Sequence, residues 1–89
     1  MIEELIENGE YLQALNQLHD MNDEKTRYLR LVCFIGLGEF EKAKYEGAHA
    51  KALAKETYYD VISMYIMALK ELGEYQEAID WLIEELSMP

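Results

Sequence analysis

The stretch Leu72-Gly73-Glu74-Tyr75-Gln76-Glu77-Ala78 separates two helical patterns and recurs, with small changes, at 8–14 and 37–43. Glycine adopts the left-handed backbone conformation that ends a helix, and the aromatic residue two positions later begins the next helix. The alanine, three positions further, lets the second helix pack closely on the first. The three stretches therefore predict three helix–turn–helix hairpins and a small helical repeat protein.

The apolar periodicity around these turns predicts an all-α fold of about six helices stacked as antiparallel hairpins. The first predicted hairpin lacks most of its first helix. The third and fifth helices are apolar on most sides, which predicts central positions, and the fourth and sixth are expected to be half-exposed. Asn22 or Asp23 is a candidate N-cap of the third helix, and Thr57 with Asp60 predicts a capping arrangement for the fifth. The predicted helices cover residues 2–8, 11–20, 24–37, 40–55, 58–72 and 75–87.

Length and composition describe one folded domain spanning residues 1–89, without room for a second core. The net charge of −10 argues against nucleic acid and anionic membranes as main partners. The acidic N-terminus does not resemble a signal peptide, and no apolar stretch reaches the ~20 residues of a membrane span, so we expect a soluble cytoplasmic protein. Cys33 is the lone cysteine and is expected to be a small buried apolar residue.

The charges are unevenly distributed, because seven of the eight lysines and arginines lie within 24–56. Such a centre could form a basic patch for an acidic peptide, or it could be an ordinary solvated face. The candidate members of the patch are Lys42, Lys44, His49, Lys51 and Lys55.

The turn Gly73-Glu74-Tyr75-Gln76-Glu77-Ala78-Ile79 resembles the turn between the two helices of a tetratricopeptide repeat, and the stretch 38–43 is similar. The glycines are spaced by 29 and 35 residues, against a family period of about 34. The resemblance covers essentially the whole chain and implies a right-handed superhelix of stacked hairpins. The 29-residue interval implies a shortened second helix in the first repeat.

The resemblance further implies a groove lined by the first helix of each hairpin. The family's lysine, asparagine and arginine clamp for a peptide carboxylate is missing here. The strip is instead apolar and contains methionines, which suits an amphipathic helix or an extended segment, unless the strip packs against its own chain. The implied groove residues are Lys25, Tyr28, Leu29, Val32, Ile35, Ser63, Met64, Met67 and Lys70.

The sequence lacks the residues that other common types of binding site require. Asp20, Asn22 and Glu24 begin like a calcium loop, but Lys25 stands where the loop needs glycine and Leu31 where it needs glutamate. His19 and His49 do not form a zinc-binding motif, and no phosphate loop or dinucleotide fingerprint is present. We therefore expect no catalytic residues, metal or cofactor, and a protein that is not an enzyme.

The last predicted helix carries Trp81, Leu82 and Leu86, which we interpret as a docking edge. Terminal repeats normally have a polar outer face, so this edge predicts coverage by further sequence of a longer array or by a partner. The predicted function is a protein-interaction or scaffold module that binds a protein or peptide segment, or associates with itself through the C-terminal helix. A structural stacking unit and an accessory or regulatory domain of a larger protein are the alternatives.

Overall fold

The computed structural model describes residues 2–18 and 21–86, and this part of the chain contains six α-helices joined by short turns. The helices stack as hairpins into a body of 38 × 26 × 20 Å, which confirms the all-α prediction. Within these ranges, every helix is too short or too polar to span a membrane. The helices are α1 (Ile2–Glu7), α2 (Tyr11–Leu18), α3 (Glu24–Gly36), α4 (Phe40–Leu53), α5 (Tyr58–Glu71) and α6 (Tyr75–Leu86).

The turn glycines adopt the predicted left-handed conformation, with φ of +78° at Gly9, +73° at Gly38 and +80° at Gly73. In each turn the glycine N–H donates to the carbonyl three residues earlier, and the next N–H donates to the carbonyl five residues earlier, at 2.8–3.0 Å. These two bonds define a Schellman motif, which satisfies the last carbonyls of the preceding helix. The alanine that follows each turn is buried, as the pattern predicted.

Helix α4 lies between α3 and α5 and packs against both. Its small residues Ala43, Gly47 and Ala50 are buried, and the two alanines belong to a core cluster with Leu31 and Val61. The opposite face of α4 is exposed, so the helix is half-exposed as predicted, with a buried face made of small residues. A helix without bulky side chains on one face allows two other helices to approach closely.

Aromatic rings pack directly on two glycines. The Tyr11 ring of α2 covers Gly36 of α3, and a Cβ atom at Gly47 would lie 2.8 Å from Cδ1 of Tyr65 on α5. Neither glycine has a left-handed φ. They are needed for space, since any larger residue would displace a ring.

The predicted capping of α5 by its own residues is wrong. Thr57 occupies the N-cap position without a side-chain cap, and its hydroxyl donates instead to Glu24 at 2.7 Å. Asp23 does occupy the N-cap position of α3, and its carboxylate accepts a hydrogen bond from the Thr26 hydroxyl. Glu24, in a neighbouring hairpin, therefore provides the capping interaction that Asp60 was expected to provide from within α5.

Cys33 is fully buried in α3, as expected. Burial raises the pKa of its thiol to about 11, which keeps the sulfur protonated at neutral pH. Cys33 thus acts as a core residue.

Candidate functional site

The apolar stripe of α6 faces outward. Ala78 is buried, but Tyr75, Ile79, Leu82 and Ile83 are 60%, 47%, 47% and 58% exposed. The four residues recur at three- and four-residue spacing and share one side of the helix. We call them the α6 strip. Ala78 joins a core cluster with Tyr65 and Leu69, because α6 is rotated so that its margin contacts α5.

Trp81 sits on that packed margin. Its ring meets the Tyr65 ring edge to face at 6.0 Å between centroids, and the Lys51 ammonium lies 4.1 Å above the indole. Trp81 is therefore half-buried against its own chain, whereas the sequence analysis placed it on the docking edge. Leu82 does lie on the exposed side, and the side chain of Leu86 lies outside the described residues.

Two tyrosine hydroxyls of α5 fix the rotation of α6. Tyr65 donates to Glu77 at 2.8 Å, and Tyr58 donates to Glu85 at 3.0 Å. Burial, followed by the bond to Glu77, raises the pKa of Tyr65 to about 12, so its hydroxyl remains a donor at neutral pH. With both carboxylates held on α5, the α6 strip is directed away from the core.

Acidic residues lie on one side of the α6 strip. Residues 71–86 contain no lysine or arginine. Asp80 lies beside Ile83 at three-residue spacing, and Glu84 lies one turn beyond Asp80 and further round the helix; both carboxylates are exposed. Glu74, at the start of the helix, pairs with Lys44 of α4 at 2.6 Å. The surface is thus an apolar strip with an acidic border.

The groove implied by the family resemblance is only partly open. Helices α3 and α5 do pack together, and Tyr28, Ile35 and Met64 lie against the core cluster. Met67 is 43% exposed, and Lys25 is exposed and pairs with Glu3 of α1 at 2.9 Å. Leu29 and Val32 are half-buried, and Ser63 and Lys70 are exposed.

A cavity of about 440 Å³ lies beside this groove at the start of α3 and α5. Of the nine implied groove residues, it includes Lys25 and Tyr28, and its other walls are polar residues around Glu24 and Thr57. Five of the nine residues are therefore half-buried and four are exposed, with an open pocket beside Lys25 and Tyr28.

A second cavity, of about 620 Å³, lies between α2, α3 and α4 and contains an ion network that the sequence analysis missed. Arg30 donates to Glu46 at 2.7 Å, to the carbonyls of Leu18 and Met21 at 2.8 and 2.6 Å, and to Asn22 at 3.2 Å. Arg27 donates to the other Glu46 oxygen at 3.1 Å. The available signal was an arginine pair at three-residue spacing, with Arg30 inside the apolar part of α3.

This network holds the segment after α2 against α3 and α4. Arg30 and Glu46 are both buried, and their opposite charges form an ion pair within the cavity wall. The arrangement anchors the carbonyls of Leu18 and Met21 on α3, and its main role is structural.

Three lysines of the predicted basic patch make separate contacts within the chain. Lys44 pairs with Glu74, Lys51 covers Trp81, and Lys42 lies 3.9 Å from Glu39.

Among the described residues, no three histidine, cysteine, aspartate or glutamate side chains are grouped to hold a metal ion. His49 is exposed and stacks on Tyr45, and His19 lies outside the described residues.

Comparison of the chain with protein-family models, with curated proteins and with solved structures found no match. The resemblance of the glycine turns to tetratricopeptide repeats therefore stays a prediction from the sequence. The class of protein defined by the fold is a stack of helical hairpins with an exposed apolar strip on its last helix.

Proposed function

We propose that this protein is an interaction module that binds a helical or extended segment of another protein through the α6 strip. The observation that carries the proposal is the exposure of Tyr75, Ile79, Leu82 and Ile83 on one side of a single helix. Exposed apolar side chains gain free energy when a partner removes them from water, at about 25 cal/mol per Å² of apolar area. Adjacent apolar side chains on one helix suit a partner helix.

The strip is also held in place before any partner binds. Trp81, Glu77 and Glu85, which lie outside the strip, hold α6 on α5. A surface that is already ordered loses little conformational entropy on binding, which favours affinity. This anchoring of α6 by residues outside the strip supports a docking role for α6.

The α3/α5 groove is a second candidate surface within the same function, and the exposed Met67 favours it. Its half-buried members also stabilise the fold, so their substitution affects stability and binding together. A stacking role in a larger assembly would use the α6 strip for the next helix. Location in the cytoplasm and the absence of catalysis remain predictions.

The test compares three double variants of the full chain as bait in affinity capture from a source lysate. Ile79→Ser/Leu82→Ser alters the strip, Met64→Lys/Met67→Lys alters the groove, and Leu12→Ser/Leu53→Ser is the control at exposed leucines elsewhere. We expect the strip variant to lose the captured protein while keeping its helical circular dichroism. Equal capture by the strip variant and the control would refute docking through α6, and loss only in the groove variant would move the site to the groove.

A further inference from the structure

We infer that the α6 strip binds a basic amphipathic helix of a different protein rather than a second copy of this chain. The inference rests on the proposed docking function and adds the chemistry of the partner. Its first support is the acidic border, in which Asp80 lies beside the strip, Glu84 lies one turn further along the helix, and no lysine or arginine occurs within 71–86. Lysine or arginine beside the partner's apolar stripe would meet these carboxylates.

A second copy offers the wrong charge for this surface. Pairing α6 with α6 would place two acidic borders against each other. Stacking α6 on the other end of a second copy would meet residues 1–23, which hold six acidic residues and no lysine or arginine. Like charges that face each other across an interface reduce both affinity and association rate.

The basic residues in the middle of the chain do not change this conclusion. Arg27 and Arg30 bind Glu46, Lys44 binds Glu74, and Lys51 covers Trp81. Using any of these side chains for another copy would first break a contact inside the fold. The four exposed lysines, Lys25, Lys42, Lys55 and Lys70, are dispersed over a chain whose net charge is −10, so a second copy is a poor source of complementary charge and another protein a better one.

The expected ligand follows from the geometry of the strip. Tyr75, Ile79, Leu82 and Ile83 stand at i, i+4, i+7 and i+8, and apolar residues at positions i, i+3, i+4 and i+7 of a partner helix form a stripe that can lie along them. Lysine or arginine on the side of that stripe nearest Asp80 would face its carboxylate. The apolar stripe supplies most of the affinity, and the charges supply selectivity and salt dependence.

The test uses two labelled peptides of about 18 residues, long enough to form a helix. Both carry leucine at the stripe positions, and they differ only in having lysine or glutamate beside the stripe. Fluorescence anisotropy measures their affinity for the full chain, for Asp80→Lys/Glu84→Lys and for Ile79→Ser/Leu82→Ser. Sedimentation velocity of the full chain and of the serine variant measures self-association.

We expect the lysine peptide to bind at least ~10-fold more tightly than the glutamate peptide at low salt, with a smaller ratio at about 0.5 M salt because charges are screened. Asp80→Lys/Glu84→Lys should reverse the preference, and Ile79→Ser/Leu82→Ser should remove binding of both peptides. Equal binding of the two peptides, or a dimer that the serine variant abolishes, would overturn the inference while leaving docking through α6 intact. Failure of both peptides to bind would overturn the inference together with the proposed function.

Discussion

The carboxylate of Glu24 at the start of α3 accepts hydrogen bonds from both the N–H and the hydroxyl of Thr57, at 2.9 and 2.7 Å, just before α5 begins. The same oxygen accepts the N–H of Lys55 at 2.8 Å. These bonds connect the starts of two successive hairpins, 33 residues apart for Thr57. Glu24 therefore satisfies backbone donors at the entrance to α5 that a local cap would otherwise bind.

The first prediction concerns the pH dependence that this contact gives to stability. The N–H groups of Thr57 and Lys55 lower the pKa of Glu24 from its ordinary 4.5 to about 2. Because the folded-state pKa is depressed, the stabilisation is fully present above pH 4.5 and is lost as the pH falls toward 2. Glu24→Gln should therefore lose stability relative to the parent at neutral pH, and the difference should shrink in acid.

Urea unfolding of both proteins between pH 7 and 2 measures this difference directly. Glu56→Gln, at an exposed neighbouring glutamate, is the matched control and should show a small difference throughout. A Glu24→Gln difference that stays constant across the acid range would contradict the role of the ionised carboxylate.

The second prediction concerns Arg30. A lysine there keeps the charge, but one ammonium with three donors cannot serve Glu46, two carbonyls and Asn22 together. We expect Arg30→Lys to lower the free energy of unfolding by about 2 kcal/mol or more. Arg27→Lys, which affects one hydrogen bond to Glu46, should cost less than about 1 kcal/mol. Chemical denaturation measures both, and equal losses would refute the central role of Arg30.

The third prediction tests the left-handed turn. A Cβ atom at Gly73 would meet nothing within 4 Å, so the cost of Gly73→Ala comes from φ of +80° alone. The expected loss is about 1–2 kcal/mol of unfolding free energy. Gly73→Asn should lose less, because asparagine tolerates the left-handed region better than alanine. Thermal unfolding by circular dichroism ranks the variants, and an alanine variant as stable as the parent would contradict the turn geometry.

The fourth prediction concerns the contact of Lys51 with Trp81. A cation above an indole face contributes about 0.5–1 kcal/mol at a partly exposed site. Lys51→Met, which keeps an unbranched chain of similar length, should cost about this much and shift the emission of the single tryptophan. In a Trp81→Leu background the same substitution should cost less, the remainder coming from the Tyr65 ring, whose centroid lies 5.6 Å from the Lys51 ammonium. A double-mutant cycle without coupling would show that the charge does not act through the ring.

The turns show what could be predicted from local sequence. Gly9, Gly38 and Gly73 need a left-handed φ in order to end one helix and start the next, and this requirement is met within about six residues. The buried alanine after each turn and the number of helices follow from the same repeated pattern. Such features were predictable because they depend on backbone sterics and on one helical period.

The candidate site was only half predictable. The sequence analysis grouped Trp81 with Leu82 on a docking edge, whereas the Trp81 ring contacts Tyr65, and it assigned Thr57 a local cap, whereas Thr57 binds Glu24. It also missed the Arg30–Glu46 pair, whose members are 16 residues apart. Each of these features depends on which side of one helix meets another, and residue spacing within a single helix does not contain that information.

The amino-acid sequence by itself determined the helices, their left-handed glycine turns and the acidic ends of the chain, because these follow from backbone conformation and composition. Only the tertiary structure decided the rotation of α6. Tyr58 and Tyr65 of α5 bind Glu85 and Glu77, and Lys51 covers Trp81, so the margin of the helix is packed. The same contacts leave the apolar strip in solvent, because side chains from separate helices set its direction.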